Sequence, residues 1–217
     1  MGGQLYLSGA LADPPKAYMA WAGHERKEGL NVVMKEIRIH GRGGQGAVTA
    51  AQLIAEAAFR EGKHAMAFPF FGAERRGAPV RAFARISDEP IYVRSQIYEP
   101  DIVMVLDPSL VEAPDVTEGL KEGGLLVLNT RKKPKDFASD SYRVATVDAT
   151  GIAIEMGLIV AGWPVVNTPM CGAFVAATGE VSLDTMLDVI RAHWPGKIGE
   201  KNAQAAKLAY ERLEKSW

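Results

Sequence analysis

The chain has 217 residues, 47% hydrophobic and 24% charged, which is the composition of a folded globular protein and excludes a disordered chain. Twenty-five Lys and Arg face twenty-six Asp and Glu for a net charge of −1. No bulk field therefore exists to hold nucleic acid or an anionic membrane, and any anion site must be local. A single cysteine, Cys171, rules out a disulfide framework, a four-thiolate iron–sulfur cluster and a Cys-rich zinc site in this chain, and fits a reducing, cytoplasmic setting.

Residues 1–33 stand apart from the rest. Gly2-Gly3, Asp13-Pro14-Pro15 and Gly23 interrupt any periodicity. The apolar runs are too short to span a bilayer, and no positively charged start precedes an apolar core as in a signal peptide. Two readings are open. The segment is an over-called start with Met34 as the true first residue, since Lys27-Glu28-Gly29 can be encoded by a purine-rich stretch resembling a ribosome-binding site. Or it is an ordered arm that packs on a partner. Residues 34–217 form the expected domain in either case.

From Lys35 to His40 polar and apolar residues alternate, as in a strand. Gly41 to Gly46 is a glycine-rich turn. Residues 46–62 place Val48, Ala51, Leu53, Ile54, Ala57, Ala58 and Phe59 on one broad helical face, with Gly62 as the stop. His64 to Phe68 reads as a short strand, and 69–79 as a loop rich in Gly, Arg and aromatics. Val80–Ile86 and Ile91–Arg94 are expected to form a hairpin around Asp88-Glu89-Pro90. Continuous apolar runs end at Asp107-Pro108 and at Asn129-Thr130, and a helical crossover over 109–122 joins them. Such runs between helices indicate strands buried on both faces of a parallel sheet. Arg143–Val147 adds a strand. Helices are expected at 152–161, 170–178, 183–193 and 200–215. The predicted fold is one α/β domain: an open, doubly wound, mostly parallel sheet, covered on both faces, with an inserted antiparallel hairpin.

Gly41-Arg42-Gly43-Gly44-Gln45-Gly46 satisfies G-x-G-x-x-G in the strand–turn–helix context that the motif requires. Glycines there let backbone N–H groups approach an anion, and the helix start adds partial positive charge. The plain alternative is that they only permit a tight turn. A dinucleotide site for NAD wants an acid at the end of the second strand. That strand runs instead into Phe68-Pro69-Phe70-Phe71, and the nearest acid, Glu61, ends the helix. NADP or another phosphorylated nucleotide stays open, because Arg75 and Arg76 can clamp a phosphate. The pair also suits an exposed loop or an interface, and the aromatics suit a pocket, a partner or their own core.

No catalytic constellation assembles from spacing. Ser95 lacks a G-x-S-x-G elbow. Cys171, in Met170-Cys171-Gly172-Ala173-Phe174, reads as a small buried side chain. Asp101 and Asp107 flank a buried strand and read as caps rather than metal ligands. His24, His40, His64 and His193 show no ligand spacing.

Taken in order, Glu36-Ile37-Arg38-Ile39-His40 with the glycine turn, Phe68–Phe71 with Gly72-Ala73-Glu74-Arg75-Arg76-Gly77-Ala78-Pro79, Arg94-Ser95-Gln96-Ile97-Tyr98-Glu99-Pro100-Asp101, and Asn167-Thr168-Pro169-Met170 with Gly172-Ala173-Phe174 closely resemble the gamma subunit of 2-oxoacid:ferredoxin oxidoreductases. The pyruvate and 2-ketoisovalerate branch is the best match, and the likeness covers about Met34 to Trp217. Cys171 stands where that family has leucine, a change that touches packing. The resemblance implies a complex that converts a 2-oxoacid, coenzyme A and oxidised ferredoxin to acyl-CoA, carbon dioxide and reduced ferredoxin. It implies thiamine diphosphate with magnesium between alpha and beta partner chains, and iron–sulfur clusters in the beta and delta chains. In single-chain relatives the equivalent domain helps to bind coenzyme A. By that resemblance Arg42 to Gly46 hold a phosphate of coenzyme A, Arg75 and Arg76 add charge, and Asn129 and Asn167 hydrogen-bond the adenosine or pantetheine arm. The alternatives are a purely structural assembly subunit and an NADP-binding reductase domain.

Overall fold

Strand β1 (Met34–Arg42) is buried over Ile37–Gly41 because it lies inside the sheet. It pairs antiparallel with β3 (Pro79–Ser87) and parallel with β4 (Ile102–Val105). The computed structural model describes residues 34–70, 77–111, 116–137 and 139–217. Residues 1–33, Arg75 and Arg76 lie outside the described residues. With β2 (His64–Phe70), β5 (Gly124–Asn129), β6 (Tyr142–Val147) and β9 (Glu214–Lys215), the sheet order is β2-β3-β1-β4-β5-β6-β9. Only β3 and β9 oppose the other strands. The fold is thus α/β with a mostly parallel sheet and an antiparallel hairpin inserted between β1 and β4.

That hairpin is β2 with β3, not 80–86 with 91–94. Residues 91–94 form no strand, and Arg85 supplies the reason. Its side chain is 1% exposed. Its Nε donates to Glu36 at 2.8 Å, and its two terminal nitrogens donate to the carbonyls of Val93 and Ser95 at 3.0 and 2.9 Å. The Phe68 ring lies against the same guanidinium at 5.3 Å. Carbonyls that would serve a ladder are spent on a buried cation, because an unpaired charge there would cost far more than a lost strand bond.

One face of the sheet carries Ile37, Ile39, Ala82, Ala84, Ile102, Met104, Leu125 and Val127. It packs against α1 (Ala47–Arg60), α3 (Asn167–Thr178), α4 (Leu183–His193) and α5 (Lys197–Arg212). Small residues on α1 bring it close to the sheet, but Phe59, expected on that face, is 71% exposed. Helix α3 is buried from Asn167 to Val175. A Cβ at its Gly172 would stand 1.9 Å from the Ala206 carbonyl of α5, so the two helices meet backbone to backbone.

The opposite face carries Val103, Val105, Leu126, Leu128 and Val144 under Leu110, Val116 and Phe137. Among the described residues its cover is turn and loop rather than helix. There the expected crossover over 109–122 is a short 3-10 turn at Pro108–Leu110 followed by bends. The buried Arg38 takes the carbonyls of Val116 and Glu118, which a helix would use internally. The expected helix over 152–161 is α2 (Ala149–Glu155), followed by the hairpin β7 (Ile159–Val160) and β8 (Trp163–Pro164). Among the described residues no helix is long and apolar enough to cross a membrane.

Two substitutions probe these contacts. Gly172→Ala forces α3 from α5 and should destabilise by about 1–3 kcal/mol or more, as overpacking does. Arg85→Met strands Glu36 and two carbonyls and should cost about 3 kcal/mol. Denaturant unfolding of each variant measures both; no shift in midpoint for either would contradict the assigned contact.

Candidate functional site

The glycine turn sits at the carboxyl end of β1. Its neighbour is the carboxyl end of β4, and the chain leaves the two strands toward opposite sides of the sheet. This is the switch point where open α/β sheets bind ligands. The turn is held from several directions. Gln45 N donates to the Arg42 carbonyl at 3.0 Å, and Arg42 N donates to Gln45 Oε1 at 2.8 Å. Gly43 N donates to the Ala78 carbonyl at 2.9 Å, and the Gly43 carbonyl accepts from Gly77 N at 3.2 Å.

Helix α1 then begins with no side-chain cap and no acid in its first turn. Its start keeps the partial positive charge of free N–H groups. The preceding residue, Gly46, has φ 84. A Cβ there would also lie 2.7 Å from Asn167 Nδ2. Both the left-handed backbone and the missing space require glycine.

Asp107, after β4, gathers the side chains around the turn. It accepts from Gln45 Nε2 at 2.7 Å and from Ser109 N at 3.0 Å, and Arg42 Nε lies 3.5 Å away. Arg42 also donates to the Gly77 carbonyl at 3.1 Å and to Ser109 Oγ at 2.8 Å. Burial pushes the Asp107 carboxyl up, but the Ser109 hydroxyl and amide, the Gln45 amide and the Arg42 charge together hold it below the ordinary carboxylate value. It is an ionised, neutralised hub at neutral pH.

A cavity of about 580 Å³ opens above this network. Arg42, Gly43, Gly44 and Gln45 form its floor, Asp107 and Ser109 one edge, and Val160 and Trp163 of the β7–β8 hairpin an apolar wall. The sequence reading missed that wall. The run 152–161 reads as helix, which hides the hairpin, and only Gly162 next to Trp163-Pro164 hints at a turn.

The structure brings Gly41, Arg42, Gly43, Gly44, Gln45 and Gly46 together as expected. It uses Asn129 and Asn167 differently from the expected ligand contacts. Asn129 is 1% exposed. Its amide donates to the Leu106 carbonyl at 2.7 Å and Thr150 Oγ1 at 2.9 Å, and accepts from Thr150 N at 3.1 Å. It ties β4 and β5 to α2. Buried Asn167 accepts from Thr168 N at 2.9 Å and packs beneath Gly46 rather than lining the cavity. The Asn129 amide is spent on these bonds, whereas Asn167 borders a separate cavity with Leu158, Trp194 and Asn202. Glu61 lies at the far end of α1, about 21 Å along a 14-residue helix, where it accepts from Ser182 N at 2.8 Å.

Asp101 accepts from Glu36 N at 2.8 Å and pairs with Lys121 at 3.1 Å. Among the described residues no group of three His, Cys, Asp or Glu side chains is placed to hold a metal ion. Cys171 is buried under α1 near the Ala50 carbonyl, and burial pushes its thiol up. A thiol-alkylating reagent at pH 8 should therefore leave it unlabelled in the native protein and label it fully in denaturant; rapid native labelling, read by mass spectrometry, would contradict its burial.

The sequence model of the family described as pyruvate ferredoxin/flavodoxin oxidoreductase matches residues 36–212. The chain is 57% identical over 182 residues to the pyruvate synthase subunit PorC of Methanothermobacter thermautotrophicus, across 84% of this chain and 97% of that one. It is 53% identical over 183 residues to the pyruvate/ketoisovalerate oxidoreductases common subunit gamma of Thermococcus kodakarensis, across 82% and 97% of the two chains. The crystal structure of pyruvate oxidoreductase subunit PORC from Thermotoga maritima shares the fold with a TM-score of 0.74 at 38% identity, across 85% of this chain and 99% of that one. A β1–glycine turn–α1 unit at the switch point of the sheet and likeness along nearly the whole of each relative lead to one assignment: the chain belongs to the pyruvate ferredoxin/flavodoxin oxidoreductase family, as a gamma-type subunit.

Proposed function

We propose that this chain, as the gamma-type subunit of a multi-subunit 2-oxoacid:ferredoxin oxidoreductase, holds the phosphate end of coenzyme A. The complex would convert pyruvate or 2-ketoisovalerate, coenzyme A and oxidised ferredoxin to acyl-CoA, carbon dioxide and reduced ferredoxin. The observation that carries the reading is the cavity at the ends of β1 and β4, floored by Arg42, Gly43, Gly44 and Gln45 of the glycine turn, next to which α1 starts without a side-chain cap. Arg42 N, Gly43 N and Gln45 N are bonded within the turn and to its neighbour, so the Arg42 guanidinium and the positive start of α1 beside the floor are what this place would bring to a phosphate. Asp107 does not oppose this, because Arg42, Gln45 and Ser109 already neutralise it. Arg42 lines the cavity with its side chain 33% exposed, within reach of an incoming anion. Arg75 and Arg76 would add charge from the adjoining segment.

The redox groups do not fit this chain's donors. One buried cysteine cannot ligate a cluster that needs four thiolates. By the family resemblance, iron–sulfur clusters, thiamine diphosphate and magnesium would sit in the alpha, beta and delta partners. Thiamine diphosphate supplies the decarboxylation chemistry there. This chain's part is to bind the acceptor and hold its thiol near the acyl group. Positioning of that kind lowers a barrier by up to about 7–11 kcal/mol in ideal cases.

A purely structural subunit is the competing reading. What favours it is that Arg42 and Asp107 satisfy each other and their neighbours without a ligand. Calorimetric titration of the assembled complex separates the two. Arg42→Ala should weaken coenzyme A by about 10- to 100-fold, the worth of a hydrogen bond to a charged group, with the KM for the oxoacid unchanged. The Arg75→Ala/Arg76→Ala pair should act in the same direction. Unchanged affinity and turnover in both would leave the structural reading standing.

A further inference from the structure

We propose that Trp163 is the base-stacking wall of the cavity, covering the adenine of the nucleotide whose phosphate the glycine turn holds. The inference rests on the coenzyme A reading and goes beyond it by placing the nucleoside end.

The hairpin pairs Ile159 with Pro164 and Val160 with Trp163. Val160 and Trp163 are therefore directly opposite and share one face of the ribbon. Both line the cavity. They are 62% and 61% exposed, so the hairpin holds two large apolar side chains that nothing in the described fold covers. The arms are fixed. Leu158 and Val166 are buried at the base, and Val165 N donates to the Leu158 carbonyl at 2.8 Å. At the tip, Ala161 and Gly162 have φ of 50 and 83. Positive φ at both central residues is the turn that matches the twist of a two-residue hairpin. The wall thus has a defined place beside the glycine turn.

The two sides of the cavity ask for different chemistry. The floor offers the Arg42 guanidinium on a glycine backbone, with the positive start of α1 next to it. The wall offers an indole and a branched alkyl group. A bare phosphate would leave the wall wet. A purely apolar ligand would cover the Arg42 guanidinium while offering it no polar group. A phosphorylated nucleoside satisfies both, with the anion on the floor and the flat base against the indole. The volume of about 580 Å³ suits a small-molecule site. Indole is also well suited to stacking, because every base has a π face.

The experiment uses the assembled complex with Trp163→Ala and Trp163→Phe. Coenzyme A and pantetheine, which lacks the nucleotide, are compared by calorimetry and as acyl acceptors. Trp163→Ala should weaken coenzyme A about 5- to 150-fold, the range of one base–aromatic stack, and leave pantetheine unchanged. Trp163→Phe should recover most of the loss. An 8-azidoadenine analogue of coenzyme A should label the peptide containing Trp163 in the unaltered complex, which decides the matter if Trp163→Ala does not assemble. Coenzyme A binding within twofold of the parent, an equal loss for coenzyme A and pantetheine, or labelling confined to other peptides each overturns the proposal. If Trp163→Ala is silent while Arg42→Ala weakens coenzyme A, the wall falls and the phosphate site stands. If both are silent, the coenzyme A reading falls as well.

Discussion

The amide of Asn167 occupies the space that a side chain at residue 46 would need. This one steric constraint ties the start of α1 to the start of α3, the most buried helix of the fold. It forces glycine at the cap and leaves α1 without the side-chain oxygen that usually satisfies a helix start. The same position has a left-handed backbone, which turns the chain sharply from the end of β1 into α1. The site therefore owes its free N–H groups to packing in the helical layer below it. A helix capped by Ser or Asp would be better satisfied alone and would present less to a ligand.

Charge is managed with similar economy. Arg38 and Arg85 are buried on the face of the sheet where the described residues place no helix, and their donors collect carbonyls from the loops that cross it. Two guanidinium groups thus replace a layer of helix as the fastening of that face. The choice suits arginine, whose rigid fork can serve several carbonyls at once. Around the turn the logic is local neutrality. Asp107 balances Arg42 and fixes Gln45, so the described side chains around the turn leave little surplus charge.

The single thiol is buried, and no metal-ligating cluster stands among the described residues. The cavity joins the glycine-turn floor to an aromatic wall drawn from a distant part of the chain. The floor is rigid because five backbone and side-chain bonds hold the turn. Preorganised groups of this kind bind without a large ordering cost.

Much of this was legible in the amino-acid order. The alternation of 35–40, the glycines that follow and the apolar runs ending at Asp107 and Asn129 determined the α/β class and the strand–turn–helix unit with its glycine turn, because such signals depend only on near neighbours. The series of family motifs determined kinship. Tertiary structure alone decided which strand partners β3, why 91–94 forms none, that among the described residues turns rather than helices cover the second face, and that Asn129 and Asn167 brace strand and helix ends. It alone set Trp163 beside Gly43 and Gly44. Those outcomes rest on buried charges claiming carbonyls and on close contacts between segments far apart in the chain, and local periodicity carries no record of either.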